Sequence, residues 1–181
     1  MSIVLLVAAA ATPSLLAALS RARVIAAARE MASVMARLRA GAVASGRNLA
    51  MRLVPSAGGY AYSIYADGDG DGVRSSDIAS GRDPRLAGPR DLRSRYQGAG
   101  FGLLDEAIPA VPPQRGVLRP GSDPVRFGRS DIITFTPRGT SSSGSLYISD
   151  GTRFVVAVVL YGGTGRIRTW RFDRLLWRWT R

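Results

Sequence analysis

Residues 1–20 carry no charged side chain. Ile3 to Val7, Ala8 to Ala11 and Leu15 to Leu19 make this stretch apolar on every side, interrupted by Thr12-Pro13-Ser14. Such a run reads as a secretory signal, for which the basic n-region is missing, as a truncated membrane helix or as a buried helix, and its length falls just short of a full hydrocarbon core. Pro13 predicts a kink in it. From Arg21 onward the pattern becomes amphipathic. Val24, Ala28, Met31, Met35, Leu38 and Ala42 recur at alternating intervals of four and three, which places them on one helical face. Arg21, Arg23, Arg29, Arg37, Arg39 and Arg47 mostly fall on other faces. Gly41 to Gly46, followed by Arg47-Asn48, mark the expected end. One long helix is therefore predicted over residues 3 to about 45, with an apolar part at 1–20 and an amphipathic continuation at 21–48.

The period then changes from helical to alternating. Leu49 to Val54 and Tyr60 to Tyr65 flank Pro55-Ser-Ala-Gly-Gly59, a hairpin signature. Residues 67–130 are rich in Gly, Pro, Asp and Arg and read as long loops, with short strands expected near Tyr96–Leu104 and Val125–Phe127. Regular strand patterning returns at Ile132–Thr136, Leu146–Ser149, Phe154–Tyr161 and Arg166–Phe172. The breaks between them are Pro137 to Gly144, Asp150-Gly151 as a tight turn, and Gly162-Gly-Thr-Gly165. These strands read as one antiparallel meander, ending in the tail Leu175 to Arg181. The expected class is α+β: a long N-terminal helix packed on an antiparallel sheet domain over 49–181.

Composition narrows the chemistry. The 181 residues include no cysteine and no histidine, and all 25 basic residues are arginine. A zinc site of Cys/His type and His-dependent nucleophilic catalysis are excluded. A lysine-bearing phosphate loop and Schiff-base chemistry are excluded too. The net charge of +12 points to an anionic partner, and arginine suits bidentate pairing with phosphate or carboxylate. Asp105-Glu106 is a lone acidic pair, and Gly162 to Gly165 is a glycine-rich turn with no helix after it. No enzymatic activity and no small-molecule substrate are expected.

Two segments carry candidate binding chemistry. On an extended strand Arg166, Arg168, Trp170 and Phe172 share one face, because side chains alternate with period two. Arg171, Arg174, Arg178 and Arg181 add charge nearby, while Trp177 and Trp179 offer stacking surface. Arginines would meet phosphates, and aromatic rings would stack on bases. Arg166, Arg168, Arg171, Trp170 and Arg178 are thus candidate nucleic-acid contacts, weighed against an ordinary solvated edge strand. Asp67, Asp69 and Asp71, with Gly72 at the sixth position, match the first half of a calcium loop. The twelfth position is Ile78 rather than glutamate. Calcium is the one candidate cofactor, and the competing reading is an acidic turn neutralised by Arg74 or Arg82.

The helix, with Pro13, Arg21-Ala-Arg23, Ala26-Ala-Ala-Arg-Glu30, Met35 to Ala40 and Gly46 to Ala50, resembles that of type IV pilins and pseudopilins. Ile133-Thr-Phe-Thr-Pro137-Arg-Gly139, Ser143-Gly-Ser-Leu-Tyr147 and Gly165-Arg-Ile-Arg168 sharpen the match to the GspH/FimT family. These are minor pseudopilins of type II secretion and related minor pilins. The resemblance covers both ends of the chain and not the middle loops. It implies a pilin-like fold and a structural subunit that starts or caps a periplasmic pseudopilus and supports protein export. Other pseudopilins or minor pilins would be its partners. Leu5, Leu6, Pro13, Leu15, Leu16 and Leu19 would anchor it in the bacterial inner membrane as a single pass and later enter the filament core. The globular domain would face the periplasm, although the arginines after the apolar run would by themselves place it in the cytoplasm. The family's basic leader, Gly-Phe cleavage site and early glutamate have no counterpart here, so this sequence is expected to lack the leader and the first part of the helix. Gly165-Arg-Ile-Arg168 is similar to the Gly-Arg-x-Arg pattern of FimT-type minor pilins, which implies DNA uptake as the alternative function.

Overall fold

The computed structural model describes residues 2–57 and 59–181, with side chains from Ser14 onward. Leu5, Leu6 and Pro13 lie outside the described side chains. Helix α1 covers Ser2–Ser45, 44 residues, or about 66 Å at 1.5 Å per residue. It stops at Gly46, whose φ of +66° is a left-handed conformation that ends helices. The predicted apolar face is the docked face. Val24, Ala28, Met31, Met35, Leu38 and Ala42 are all buried, and Ala27 and Val34 join them. Toward the N-terminus the burial ends: Leu15, Leu16 and Leu19 are 61%, 66% and 44% exposed.

The remaining elements are β1 (Leu49–Ser56), β2 (Gly59–Ala66), α2 (Ser75–Ser80), β3 (Arg85–Asp91), α3 (Leu92–Arg95) and β4 (Gly100–Phe101). After these come β5 (Ile108–Pro109), β6 (Val117–Leu118), β7 (Val125–Arg126), β8 (Ile132–Phe135), β9 (Gly144–Ser149), β10 (Val155–Tyr161), β11 (Arg166–Asp173) and β12 (Arg178–Thr180). They form two main antiparallel sheets and a small pair. The first sheet has order β3-β2-β1-β8, the second has order β12-β11-β10-β9-β4 with β7 also on β9, and β5 pairs with β6. The α+β reading and the antiparallel pairing therefore hold, but the single meander does not. β8 aligns on β1, with Leu49 opposite Phe135 and Arg52 opposite Ile132. The chain changes sheets in the turn after it, where Thr136 N–H donates to Thr140 O and Ser141 N–H to Gly162 O. Alternation along β8 says that Ile133 and Phe135 face one way; it does not say which sheet receives the strand.

The two sheets share one core with α1. Met51, Leu53 and Tyr62 from the first sheet meet Leu146, Ile148, Val156, Val158 and Leu160 from the second against the helix. β10 is buried on both faces, because Val155, Ala157 and Val159 point into a second core with Tyr147, Phe172 and Trp179. That core is covered by the middle segment through Leu104, Ile108, Val111 and Leu118. The 67–130 region is thus more ordered than its composition predicts. The expected strands near Tyr96–Leu104 and Val125–Phe127 correspond to β4 and β7. α2, β3, α3, β5 and β6 were not expected, and two-residue strands are too short to show a period. The tail also holds an unexpected strand, β12, whose Trp179 indole N–H donates to Pro109 O at 2.8 Å. Asp150-Gly151 opens a wider turn than the two-residue one predicted: Asp150 Oδ1 accepts from the N–H groups of Thr152, Arg153 and Phe154 before β10 begins.

Candidate functional site

The C-terminal arginines divide between two faces and two ends of β11. Arg166, Arg168 and Trp170 alternate onto the face that carries Phe172 into the second core, whereas Ile167 packs in the core beneath α1. Arg171 lies on the helix side, beside Ile25, Ala28 and Arg29. Arg178 is opposite Asp173 in the ladder, so it sits at the far end of the strand. Seven steps from Arg166 to Asp173 amount to about 23 Å. Arg166 and Arg168 instead meet two arginines from elsewhere. Arg126 of β7 and the C-terminal Arg181 line the same groove of about 780 Å³, together with Gln114 and Gly162 to Thr164. No acidic residue lines this groove, and among the described residues none of these four arginines forms an ion pair. Partial burial, and then the Arg166 and Arg181 charges, lower the pKa of the Arg168 guanidinium below its ordinary value. The group stays protonated and is short of anions.

The aromatic contribution is smaller than the sequence implies. Trp179 is buried against Tyr147 and Phe172. The Arg181 guanidinium lies 4.8 Å from the centre of the Trp170 ring, so a cation covers one face of that indole. Sequence reasoning missed Arg126, because nothing in the spacing of residues 125–127 predicts that β7 pairs with β9 (Arg126 opposite Ser145) and brings it to β11.

Three of the segments that carry the family resemblance converge on one residue of the helix. Arg39 Nε donates to Gly139 O at 3.0 Å. Gly165, with φ of +59°, lies against the same point: a Cβ there would stand 2.3 Å from Gly139 O and 2.7 Å from Arg39 Nε. Glycine is therefore required both by the backbone conformation and by the close approach. The Gly of Gly165-Arg-Ile-Arg168 lets the β10–β11 turn pack against this Arg39–Gly139 contact, and Arg166 and Arg168 after it line the groove.

In the acidic loop, one carboxylate oxygen from each of Asp67, Asp69 and Asp71 lies within 4.8 Å of the others. Asp67 is buried and fully partnered. Its Oδ1 accepts from the N–H groups of Asp69 and Gly70, and its Oδ2 accepts from Gly72 N–H and Asn48 Nδ2. Burial pushes its pKa up, but these four donors outweigh burial and hold the carboxyl below its ordinary value. Asp71 pairs with Arg74, and Arg82 reaches Asp69 at 3.6 Å and Asp77 at 3.2 Å. Arginines therefore lie beside Asp69 and Asp71.

The third candidate is the apolar part of α1. Leu15, Leu16 and Leu19 stand clear of the domain, which the helix joins at Ser20, whose Oγ–H donates to Asp150 Oδ2. Among the described residues no helix is long and apolar enough to cross a membrane. Compared with family models, curated proteins and solved structures, the chain matches none.

Proposed function

We propose that this chain is a pilin-like minor pseudopilin of the GspH/FimT kind, a structural subunit of a periplasmic filament that supports protein export. The observation that carries this reading is the division of α1. Its face from Val24 to Ala42 is sealed into the two-sheet core, while Leu15, Leu16 and Leu19 are held exposed beyond the domain. Exposed leucines on a projecting helix are costly in water, so they imply a lipid or helical environment. In this reading the helix holds the subunit in the inner membrane and then exchanges lipid for the helices of neighbouring subunits. The globular domain stays on the periplasmic side. No substrate chemistry is needed.

A cysteine-free chain makes the test direct. A single cysteine at Leu16, placed in bacteria that assemble a type II secretion pseudopilus, should cross-link to a neighbouring subunit. A cysteine at exposed Arg129 should not. Recovery of the chain only from the soluble periplasmic fraction, with no cross-link from Leu16, would refute the proposal.

The groove of Arg126, Arg166, Arg168 and Arg181 favours a second reading, a FimT-like minor pilin that binds DNA during uptake. Four arginines without carboxylate partners form an electrostatic footprint for a phosphate backbone.

A further inference from the structure

At the end of the domain where α1 enters it, the β11–β12 turn presents an apolar tip. Leu175, Leu176 and Trp177 are 97%, 56% and 49% exposed. The tip is built and held in place. Asp173 Oδ1 accepts from the N–H groups of Leu175 and Leu176 at 2.9 and 3.0 Å. Trp177 adopts a left-handed φ of 48° and packs edge-on against Phe172, with ring centres 5.4 Å apart. A depression of about 400 Å³ joins the turn to the helix and is lined by Arg21, Val24, Arg153, Arg174 and Leu175. Arg174 is paired with Glu106 at 2.8 Å, but among the described residues Arg21, Arg153 and Arg178 have no ion pair.

We propose that the Leu175–Trp177 turn docks on the surface of an anionic lipid bilayer, with Arg21, Arg153 and Arg178 meeting lipid phosphates around it. Aliphatic side chains flanked by a tryptophan and arginines are the composition of an interfacial contact. The charge has the right sign for anionic headgroups. The tip lies where the helix leaves the domain, since Arg21 of the emerging helix and Leu175 line the same depression. Leu175 and Leu176 give bases no ring to stack on, and Trp177 is already packed edge-on against Phe172, which disfavours nucleic acid. Three side chains fall far short of the roughly 1,000 Å² that a specific protein interface buries. This proposal rests on the anchoring reading for the helix, and it removes Arg178 from the DNA groove.

The test uses the full chain with vesicles of phosphatidylglycerol and phosphatidylcholine that carry lipids brominated near the headgroup end of the acyl chain. Subtracting the emission of a Trp177→Phe variant isolates Trp177 from Trp170 and Trp179. Flotation of the same samples reports anchoring separately. The expected result is loss of Trp177 emission to bromine, greater in anionic vesicles than in pure phosphatidylcholine. It should be abolished by Leu175→Ser with Leu176→Ser while flotation persists. The exposed positions of these leucines predict an unchanged melting curve for that variant. Flotation without quenching would overturn the docking proposal and leave the anchor reading standing. Neither flotation nor quenching would overturn both. Equal quenching in pure phosphatidylcholine would overturn the role of the arginines. A Trp177 shift that grows with protein concentration and ignores bromine would mean that another subunit covers the turn, which also overturns the proposal.

Discussion

Asp67 is where sequence spacing and tertiary setting diverge most. The alternating aspartates are visible in the sequence, but Asn48, which donates to Asp67 Oδ2 at 2.6 Å, is nineteen positions earlier, just past the helix. An asparagine at 67 would set an NH₂ group against N–H donors. Asp67→Asn should therefore cost about 1–3 kcal/mol at neutral pH, measured by urea denaturation. The sign with pH follows from the lowered folded pKa. Its contribution is complete above the ordinary value of 3.8 and is lost as pH falls through the depressed folded value. The gap between wild type and variant should accordingly close in acid. A gap that is independent of pH would exclude the carboxylate as its source. Asp150 follows the same logic. Burial raises its pKa, but Phe154 N–H, the Ser20 hydroxyl and the Arg153 and Thr152 N–H groups lower it further, so docking of the helix at Ser20 is tied to an ionised group.

At the scale of elements, α1 is one helix with a docked part and an exposed part. Periodicity alone located the docked face, because all six residues that recur at intervals of four and three reach the core. Met31→Ala should cost about 2–5 kcal/mol, the range for emptying a packed site. Leu15→Ala should leave the unfolding midpoint within about 0.5 kcal/mol, because its side chain contributes to no described core. Comparable losses for both in the same denaturation series would contradict the division. β10 shows the complementary case. Its run of valines reads as a buried strand, and the reason is that the helix covers one face and the 103–118 segment the other. The covering segment itself was not legible, since β5 and β6 are two residues each.

For the whole molecule, the charge of +12 is an average that the fold distributes unevenly. The groove at Arg166 and the tip at Leu175 lie at opposite ends of β11, with the Arg39–Gly139 contact near the first and Ser20–Asp150 near the second. DNA binding by the full chain in detergent should therefore be local. Arg166→Gln with Arg168→Gln should flatten the log–log salt dependence by about 1.8, at 0.9 for each lost phosphate contact. Arg29→Gln with Arg37→Gln, or Arg178→Gln alone, should leave most of the slope in place. Equal weakening by all three in an anisotropy titration would reduce the groove to diffuse charge.

The sequence by itself determined the helix, its docked face, the first hairpin and the strands of the second sheet other than β12, because these follow from local period and from glycine and proline punctuation. It also placed Arg166, Arg168 and Trp170 on one face, since alternation is a property of any strand. Tertiary structure alone decided that β8 leaves the meander for β1, that Arg126 and Arg181 complete the groove, and that Arg178 sits at the other end. It likewise decided that Trp179 is buried while Leu175 is presented to solvent. Each of these depends on which strands pair and what covers them, and pairing between distant segments leaves no periodic trace in either partner.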